Sequence, residues 1–492
     1  MKNDKTILLI QPHVGKLDYA GLRLPEALLA VARYPLKHGF SVKIIDQRIT
    51  QNWKKCVGDF LEDNKVLCVG LTCMTGPQIR YALEISRYIK SISSVPIVWG
   101  GVHPSLFPEQ CLADSSIDYV VIGEGEETFM ELALKLQAIE NHVDIKGIAY
   151  KKNGKTVINE PRGFIKDMDK LPHLPYELID ITQYRASGLF NGPSLTFFTS
   201  RGCPYPCTFC YNTVYNKGKW RGYSAVNTVD RLEAIIDKYG IRQFFFQDDN
   251  LFTNVPRFRE IMREIIKRQL NIKWACLGAR IDTLSRIGEE GLELMVKAGC
   301  KDVDIGVESG SDRILKMIKK SITTDQVLPV IRMLSKFPIN SKCTFIIGFP
   351  GETEDEVLQT IKLSMQIVEE NERVFSLILV YTPYPGSDLF FVAEKNGFVV
   401  PDRLEDWGDF TRDEWFLHNE NWLTKRQRKR YNSICFTSMF ACKAGKTKIS
   451  SPLMKLLFGL YHPIAKFRLK HNLHSFQVES YLQRRLLSSS KL

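Results

Sequence analysis

Three cysteines fall within eight residues in the run Arg201-Gly202-Cys203-Pro204-Tyr205-Pro206-Cys207-Thr208-Phe209-Cys210. Pro204 and Pro206 stiffen this loop, so its three thiolates can converge on one centre. A fourth cysteine would close a structural zinc site or an electron-transfer cluster, whereas three leave one position open. The spacing fits an iron–sulfur cluster with one iron free to take an outside ligand. The competing reading is a zinc ion completed by a distant cysteine or histidine. Of the other nine cysteines, Cys56, Cys68, Cys73 and Cys111 show no ligand-like spacing, and Cys276, Cys300, Cys343, Cys435 and Cys442 read as small packing residues.

The elements around the loop are those of an α/β chain. Six apolar runs, at 195–199, 243–247, 273–277, 303–307, 343–347 and 376–381, alternate with helical patterns such as Thr228 to Tyr239 and Glu354 to Glu370. Six β/α units predict a barrel, complete or partial, with its site at the carboxyl ends of the strands. The cysteine loop follows the first of them.

C-x3-C-x2-C with an aromatic residue before the last cysteine resembles the signature of radical S-adenosylmethionine enzymes, which place this loop after the first strand of a partial (β/α)6 barrel. The resemblance implies that Cys203, Cys207 and Cys210 hold a [4Fe–4S] cluster. Its open iron would bind the amino and carboxylate groups of S-adenosylmethionine, and one electron would split the sulfonium to a 5′-deoxyadenosyl radical. Phe209 would lie near the adenine. Asp248 and Asp249, after the second strand, stand where the family binds the methionyl ammonium, although the usual Gly-Gly-Glu is missing. Arg280 would meet the ligand carboxylate and Glu308, beside Ser309, the ribose. Gly348 to Thr353, including Glu352, resembles the adenine-side loop.

Ahead of the barrel, five runs at 7–10, 42–45, 67–71, 96–99 and 119–122 alternate with helices such as Glu26 to His38, where Gly39 supplies a stop. Continuous apolar strands with helical crossovers predict a parallel sheet covered on both faces. Ligands then lie at the strand ends, which carry Gln11-Pro12-His13, Thr72 to Gly76, Gly100-Gly101-Val102-His103 and Gly123-Glu124-Gly125-Glu126. The dinucleotide fingerprint G-x-G-x-x-G is absent.

A Rossmann-like domain before such a barrel resembles the cobalamin-dependent radical S-adenosylmethionine enzymes, a group of carbon and phosphorus methylases and anaerobic cyclases. The matching segments are GGVHPS, GEGEETF, KDMDKLPHLPYELID and KWRGYS. The resemblance implies that Pro12, Thr72, Thr75, Gly100, Gly101, His103, Gly123, Glu124 and Gly125 line a cobalamin site. The corrin would rest over 72–76. D-x-H-x-x-G is missing, which implies a base-off cofactor with no histidine from that element; His13 and His103 read as loop-stabilising residues. The expected domains are 1–145 (cobalamin), 146–190 (linker), 191–390 (barrel) and 391–492 (basic and helical).

The chain has 492 residues with a net charge of +12, 44% hydrophobic and 25% charged residues, which excludes a disordered or disulfide-scaffold protein. Residues 421–492 hold 15 Lys or Arg against one acid, Glu479, so the basic character belongs to the tail. There Leu453, Leu456, Leu457, Leu460, Tyr461 and Ile464 follow a helical period, and Pro463 should kink the helix. The tail reads as a solvated face over a helical cap, or as a peripheral contact with an anionic membrane or a lipid-like substrate. No run is long enough to cross a bilayer and the first residues lack a secretory pattern, so a cytoplasmic location is expected, with reduced thiols.

The resulting expectation is a methyltransferase acting on an unactivated carbon or phosphorus of a small-molecule or lipid-like substrate, fed by a one-electron reductant such as flavodoxin or ferredoxin. No protein acid or base is required for the transfer, so no catalytic proton donor is expected. A cyclase or oxidoreductase of the same architecture is the alternative. A tRNA-modifying methylthiotransferase would carry a second cysteine trio in its first domain, and nucleic acid is therefore not the expected partner.

Overall fold

The computed structural model describes residues 5–15, 18, 21–140, 144–186, 189–190, 192–410, 423–444 and 452–474. Glu479 and the side chain of Leu453 lie outside the described residues. Two compact units are present, Met1–Leu195 with Val400–His418, and Thr196–Val399 with Asn419–Leu492.

In the first unit the apolar runs become β1 (Thr6–Gln11), β2 (Ser41–Asp46), β3 (Val66–Thr72), β4 (Ile97–Gly100) and β5 (Tyr119–Val121). Between them lie α1 (Glu26–Lys37), α2 (Trp53–Asp63), α3 (Gln78–Ile92), α4 (Val102–Leu106) and α5 (Pro108–Ala113), and α6 (Gly125–Ala138) follows. Ile7 to Ile10 and Cys68 to Val69 are almost fully buried, as strands covered on both faces require. Helix α1 turns Leu28, Leu29 and Ala32 inward, and the chain leaves it through Gly39 at φ +83°.

The sheet order is β2-β1-β3-β4-β5, all parallel, so the topological switch lies between β1 and β3. That switch sets Gln11-Pro12-His13 beside Thr72–Gly76 at the carboxyl edge. The segment expected as a linker departs from that reading in its first part. β6 (Ile148–Lys152) and β7 (Lys155–Ile158) form an antiparallel hairpin on the far edge. Its turn is Asn153-Gly154, both with positive φ, a pair that favours two-residue hairpin turns.

The second unit holds β8 (Leu195–Phe197), a small ribbon of β9 (Ser200–Arg201) and β10 (Arg221–Gly222), and then β11 (Gln243–Phe246), β12 (Lys273–Arg280), β13 (Cys300–Glu308), β14 (Asn340–Ile347) and β15 (Val374–Val380). Its helices are α7 (Asn212–Tyr215), α8 (Ala225–Tyr239), α9 (Val255–Lys267), α10 (Ile281–Lys297), α11 (Asp312–Met317), α12 (Val327–Ser335), α13 (Glu354–Glu370), α14 (Asp388–Lys395), α15 (Lys425–Phe440) and α16 (Pro452–Lys470). The six strands of the main sheet follow one another as β8-β11-β12-β13-β14-β15, with parallel pairing from β11 onward. This is the partial (β/α)6 barrel.

Local signals fix the helix ends. Thr353 caps α13 in a reciprocal box with Glu356, and Gly240 closes α8 in the left-handed conformation. Helix α15 packs on β15, where the Ser438 hydroxyl accepts the Ile378 amide and Cys442 joins Val368 and Phe375. Helix α16 continues through Pro463.

The last part of the chain also divides differently from the expectation. Residues 400–410 belong to the first unit, where Gln110 donates to the carbonyls of Pro401 and Asp402, Arg80 pairs with Asp409, and Trp407 is completely buried.

Candidate cofactor site

The cysteine loop is tied down at both ends. Gly202 has φ +81°, and a Cβ there would strike the Lys219 carbonyl, so only glycine lets the β9–β10 ribbon close. The Gly202 amide donates to Asp249, whose other oxygen accepts the Tyr211 hydroxyl. Further on, the Thr208 amide reaches the Ile318 carbonyl, and the Thr208 carbonyl accepts from Leu389.

Arg280, at the end of β12, reaches under the loop. Its guanidinium lies 3.6 Å over the Tyr205 ring, donates to Asp282 at 2.8 Å, approaches Cys207 Sγ at 3.4 Å and also bonds the Lys320 carbonyl. Burial raises the Cys203 thiol and pushes Cys210 up to about 12, and both thiols also interact electrostatically with Cys207. A cationic centre that makes three thiolates favourable suits such a loop. Among the described residues no group of His, Cys, Asp and Glu is gathered tightly enough for a single metal ion. A four-iron cluster places each thiolate on its own iron and does not need that closeness.

The two neighbouring aspartates have different surroundings. Asp248 is fully buried and accepts from the Thr199 amide and hydroxyl and from the Ser200 hydroxyl, so it organises the strand leading into the cysteines. Burial raises its pKa against those hydrogen bonds. Asp249 is half-buried beside the loop. Arg257 adds a further layer, donating to the Thr199 and Tyr223 carbonyls near the Trp220 ring. This is what the KWRGYS segment does locally.

At the next strand ends, Glu308 sits at φ +76°, a conformation that costs a non-glycine residue roughly 1–3 kcal/mol, and forms a buried 2.7 Å ion pair with Lys320. Ser309 is buried against Thr360. Phe209 stands 6.1 Å from Phe349, which lies 5.2 Å from Tyr381, making an aromatic row beside Gly348. Glu352 turns back to accept the Gly348 and Phe349 amides, and burial pushes it to about 8. Tyr431 of α15 lies against Gly348.

In the first unit the glycine loops interlock. Gly101, at φ +103°, brings its backbone so near β3 that a Cβ would lie 2.7 Å from the Cys73 carbonyl. The Ser105 hydroxyl accepts the Gly123 amide and donates to the Gly101 carbonyl, which joins two loops, while Glu124 accepts the Ile165 amide. Thr72, Met74 and Thr75 stay at least partly accessible, and no described residue fills the space a Cβ on Gly123 would take. Pro12 stands at the end of β1, with Gln11 donating to its carbonyl, and Gly125 opens α6.

His13 pairs with Asp18 at 3.1 Å. His103 is wholly buried, 3.0 Å from the Thr75 hydroxyl and between Phe107 and Trp407. Burial lowers it to about 3, and its Nε2 has no hydrogen-bond partner among the described residues. It therefore stabilises a loop and offers no nitrogen at the surface.

Comparison with known proteins decides the family. Residues 197–364 match the model of the radical SAM superfamily, and residues 19–133 match the B12 binding domain. An uncharacterized methyltransferase of Pyrococcus horikoshii is 32% identical over 441 residues, covering 88% of this chain and 93% of that one.

The chain belongs to the cobalamin-dependent radical S-adenosylmethionine enzymes.

Other members of the family align along most of the chain. The cytidylyl-2-hydroxyethylphosphonate methyltransferase of Streptomyces wedmorensis is 28% identical over 80% of this chain and 83% of its own. The anaerobic magnesium-protoporphyrin IX monomethyl ester cyclase of Rubrivivax gelatinosus is 27% identical over 80% and 73%. Among solved structures, the cobalamin-dependent radical enzyme OxsB aligns with TM-score 0.73 over 99% of this chain and 75% of that one, at 19% identity. The methyltransferase TsrM of Kitasatospora setae aligns with TM-score 0.65 over 80% and 76%, also at 19%. The expected cofactor set, a [4Fe–4S] cluster, S-adenosylmethionine and cobalamin, is that of this radical enzyme family.

Several residues of the site carry no signal in the sequence pattern. Thr199, Ser200, Tyr205, Arg257 and Lys320 act through contacts made only when the barrel closes, and Trp407 lies some 300 residues from the His103 loop it covers. The flanking Pro204 and Pro206, which restrict the backbone around Tyr205, are the one local signal for it.

Proposed function

We propose that this radical enzyme transfers a methyl group to an unactivated carbon or phosphorus of a small-molecule or lipid-like substrate. The observation that carries this reading is the cysteine loop folded over Arg280 at the carboxyl ends of a partial barrel, in a chain that also holds a cobalamin-type domain. When bound, the cofactors supply a carbon radical that removes a hydrogen atom and a methyl donor that refills the position.

The chain's own residues bind, orient and exclude water. Cys203, Cys207 and Cys210 hold the cluster, with Arg280 fixing Cys207. Phe209, backed by the buried Phe349, offers its ring to the adenine, and Glu308 offers its carboxylate to the ribose once Lys320 has fixed it. Asp248 acts through the loop and leaves Asp249 as the aspartate nearer the ligand. Pro12, Thr72, Thr75, Gly100, Gly101, Gly123, Glu124 and Gly125 form the cobalamin cradle, with His103 behind Thr75. Flavodoxin or ferredoxin in the cytoplasm would supply the electron.

Anaerobic reconstitution tests the assignment. The full chain should take up about four irons and bind cobalamin with a base-off spectrum, and alanine at Cys203, Cys207 and Cys210 should abolish iron uptake alone. Incubation with deuterated-methyl S-adenosylmethionine and a cell extract should label a metabolite, with S-adenosylhomocysteine formed alongside 5′-deoxyadenosine. Iron uptake without cobalamin binding would overturn the methylase. Because relatives include cyclases, 5′-deoxyadenosine without S-adenosylhomocysteine would instead support the non-methylating alternative.

A further inference from the structure

Helix α16 has an ordinary inner face and an unusual outer one. Phe458, Ala465 and Leu469 are buried, His462 lies 2.8 Å from the Phe440 carbonyl, and Arg468 bonds both Tyr461 and Ser433 of α15. On the other side Leu456, Leu457, Leu460, Ile464 and Phe467 are each 47–64% exposed. Their spacing follows the helical period, so they form one continuous apolar stripe pointing away from the helix's own packing partner. Soluble chains seldom present such a stripe unless something covers it.

The helix's own charges have one sign, although Glu369 of α13 lies near its middle. Residues 452–470 contain no acid, and Lys455 and Lys470 are exposed at its two ends. Lys466 lies part-way along, 3.7 Å from Glu369. Helices α15 and α16 run antiparallel, with Arg430 bonding Asn472 at one end and Phe440 against Phe458 at the other. The first turns of α15 carry exposed Lys425, Arg426 and Lys429 at the end near Lys470. Cations at a helix N-terminus oppose the macrodipole, an unfavourable placement that a nearby anionic surface relieves. No helix among the described residues is long and apolar enough to cross a membrane, so the stripe suits lying in an interface rather than spanning one.

We infer that α16 is a membrane-docking helix, which seats Leu456, Leu457, Leu460, Ile464 and Phe467 in the acyl boundary of an anionic bilayer while the lysines around it meet lipid phosphates. Nothing in this surface depends on the chemistry of the barrel.

The test is flotation of the full, cluster-loaded chain with phosphatidylcholine vesicles, with and without phosphatidylglycerol. The chain floats with the anionic vesicles at low salt, and the double variant Leu460→Asp with Phe467→Asp lowers binding about tenfold or more without changing iron content. In case that variant folds poorly, Leu460→Trp supplies a second readout, its emission shifting to the blue on anionic vesicles. Failure to float at low salt, or flotation undiminished in the double variant, overturns the proposal. So does a wild-type dimer that the double variant dissociates in the absence of lipid, because the stripe would then join two copies of the chain.

Discussion

Arg280 Nη1 lies 3.4 Å from Cys207 Sγ, while the same guanidinium is stacked on Tyr205 two residues earlier in the cysteine loop. One side chain of the barrel wall thus contacts both the thiol of Cys207, the proposed cluster ligand, and the aromatic residue of the same loop. Lysine keeps the charge but cannot present a planar fork to Asp282, Lys320 and Cys207 together. Arg280→Lys should fold and still lose much of its iron on gel filtration. Arg280→Ala should cost about 3 kcal/mol of stability as well, since Asp282 loses its partner. Iron content and chemical denaturation of the two variants separate these effects.

Glu352 gives a pH dependence of defined sign. Burial lifts it from 4.5 to about 8, although two backbone amides pull the other way. Between those values the folded chain keeps the proton that the unfolded chain has lost. The contribution to stability is therefore complete below pH 4.5 and declines as pH rises towards 8, by at most about 1.4 kcal/mol per pH unit. Glu352→Gln retains an acceptor for the Gly348 and Phe349 amides and should flatten this decline. The difference in urea midpoint between pH 5 and pH 8 should be smaller in the variant than in the wild type.

The strands were legible because parallel strands buried on both faces write themselves as unbroken apolar runs, and ILLI and VDIGV each became the centre of one. The cysteine loop stands out in the sequence because its three cysteines are close neighbours along the chain. Asp248 and Asp249 were not separable, since their difference lies in Thr199 and Ser200, nearly fifty residues away, closing over one of them. The Lys320 to Glu308 pair depends on the chain reversing through α11, which no periodicity encodes. The β6–β7 hairpin did carry a local signal, Asn153-Gly154, but its position inside an expected linker hid it.

The glycines of the first unit supply a paired experiment. Gly101 and Gly123 both have positive φ, yet a Cβ on Gly101 meets the Cys73 backbone and one on Gly123 meets nothing within 4 Å among the described residues. Gly101→Ala should cost about 3 kcal/mol and displace Thr72 and Cys73, whereas Gly123→Ala should cost about 1 kcal/mol from the dihedral alone. Cobalamin retained after gel filtration should fall sharply in the first variant and little in the second. Equal retention in both would remove the 72–76 loop from the cobalamin cradle.

Trp407 is the other constraint on that loop. Its ring is completely buried, 5.5 Å from His103 and 5.1 Å from Phe107, and Arg80 with Asp409 and Arg87 with Glu405 hold its segment in place. Trp407→Ala should cost about 3–5 kcal/mol as a cavity. It should also let water reach His103. In the wild type burial holds His103 near 3, so between pH 6.5 and 3 the unfolded chain takes a proton that the folded one refuses, and stability is lost as pH falls through that window. With Trp407 removed, the folded His103 should accept the proton nearer pH 6.5, and this part of the acid destabilisation should shrink. Urea midpoints of Trp407→Ala and wild type at pH 7 and pH 5 check both statements, because the cavity lowers both values while the relieved histidine narrows the gap between them.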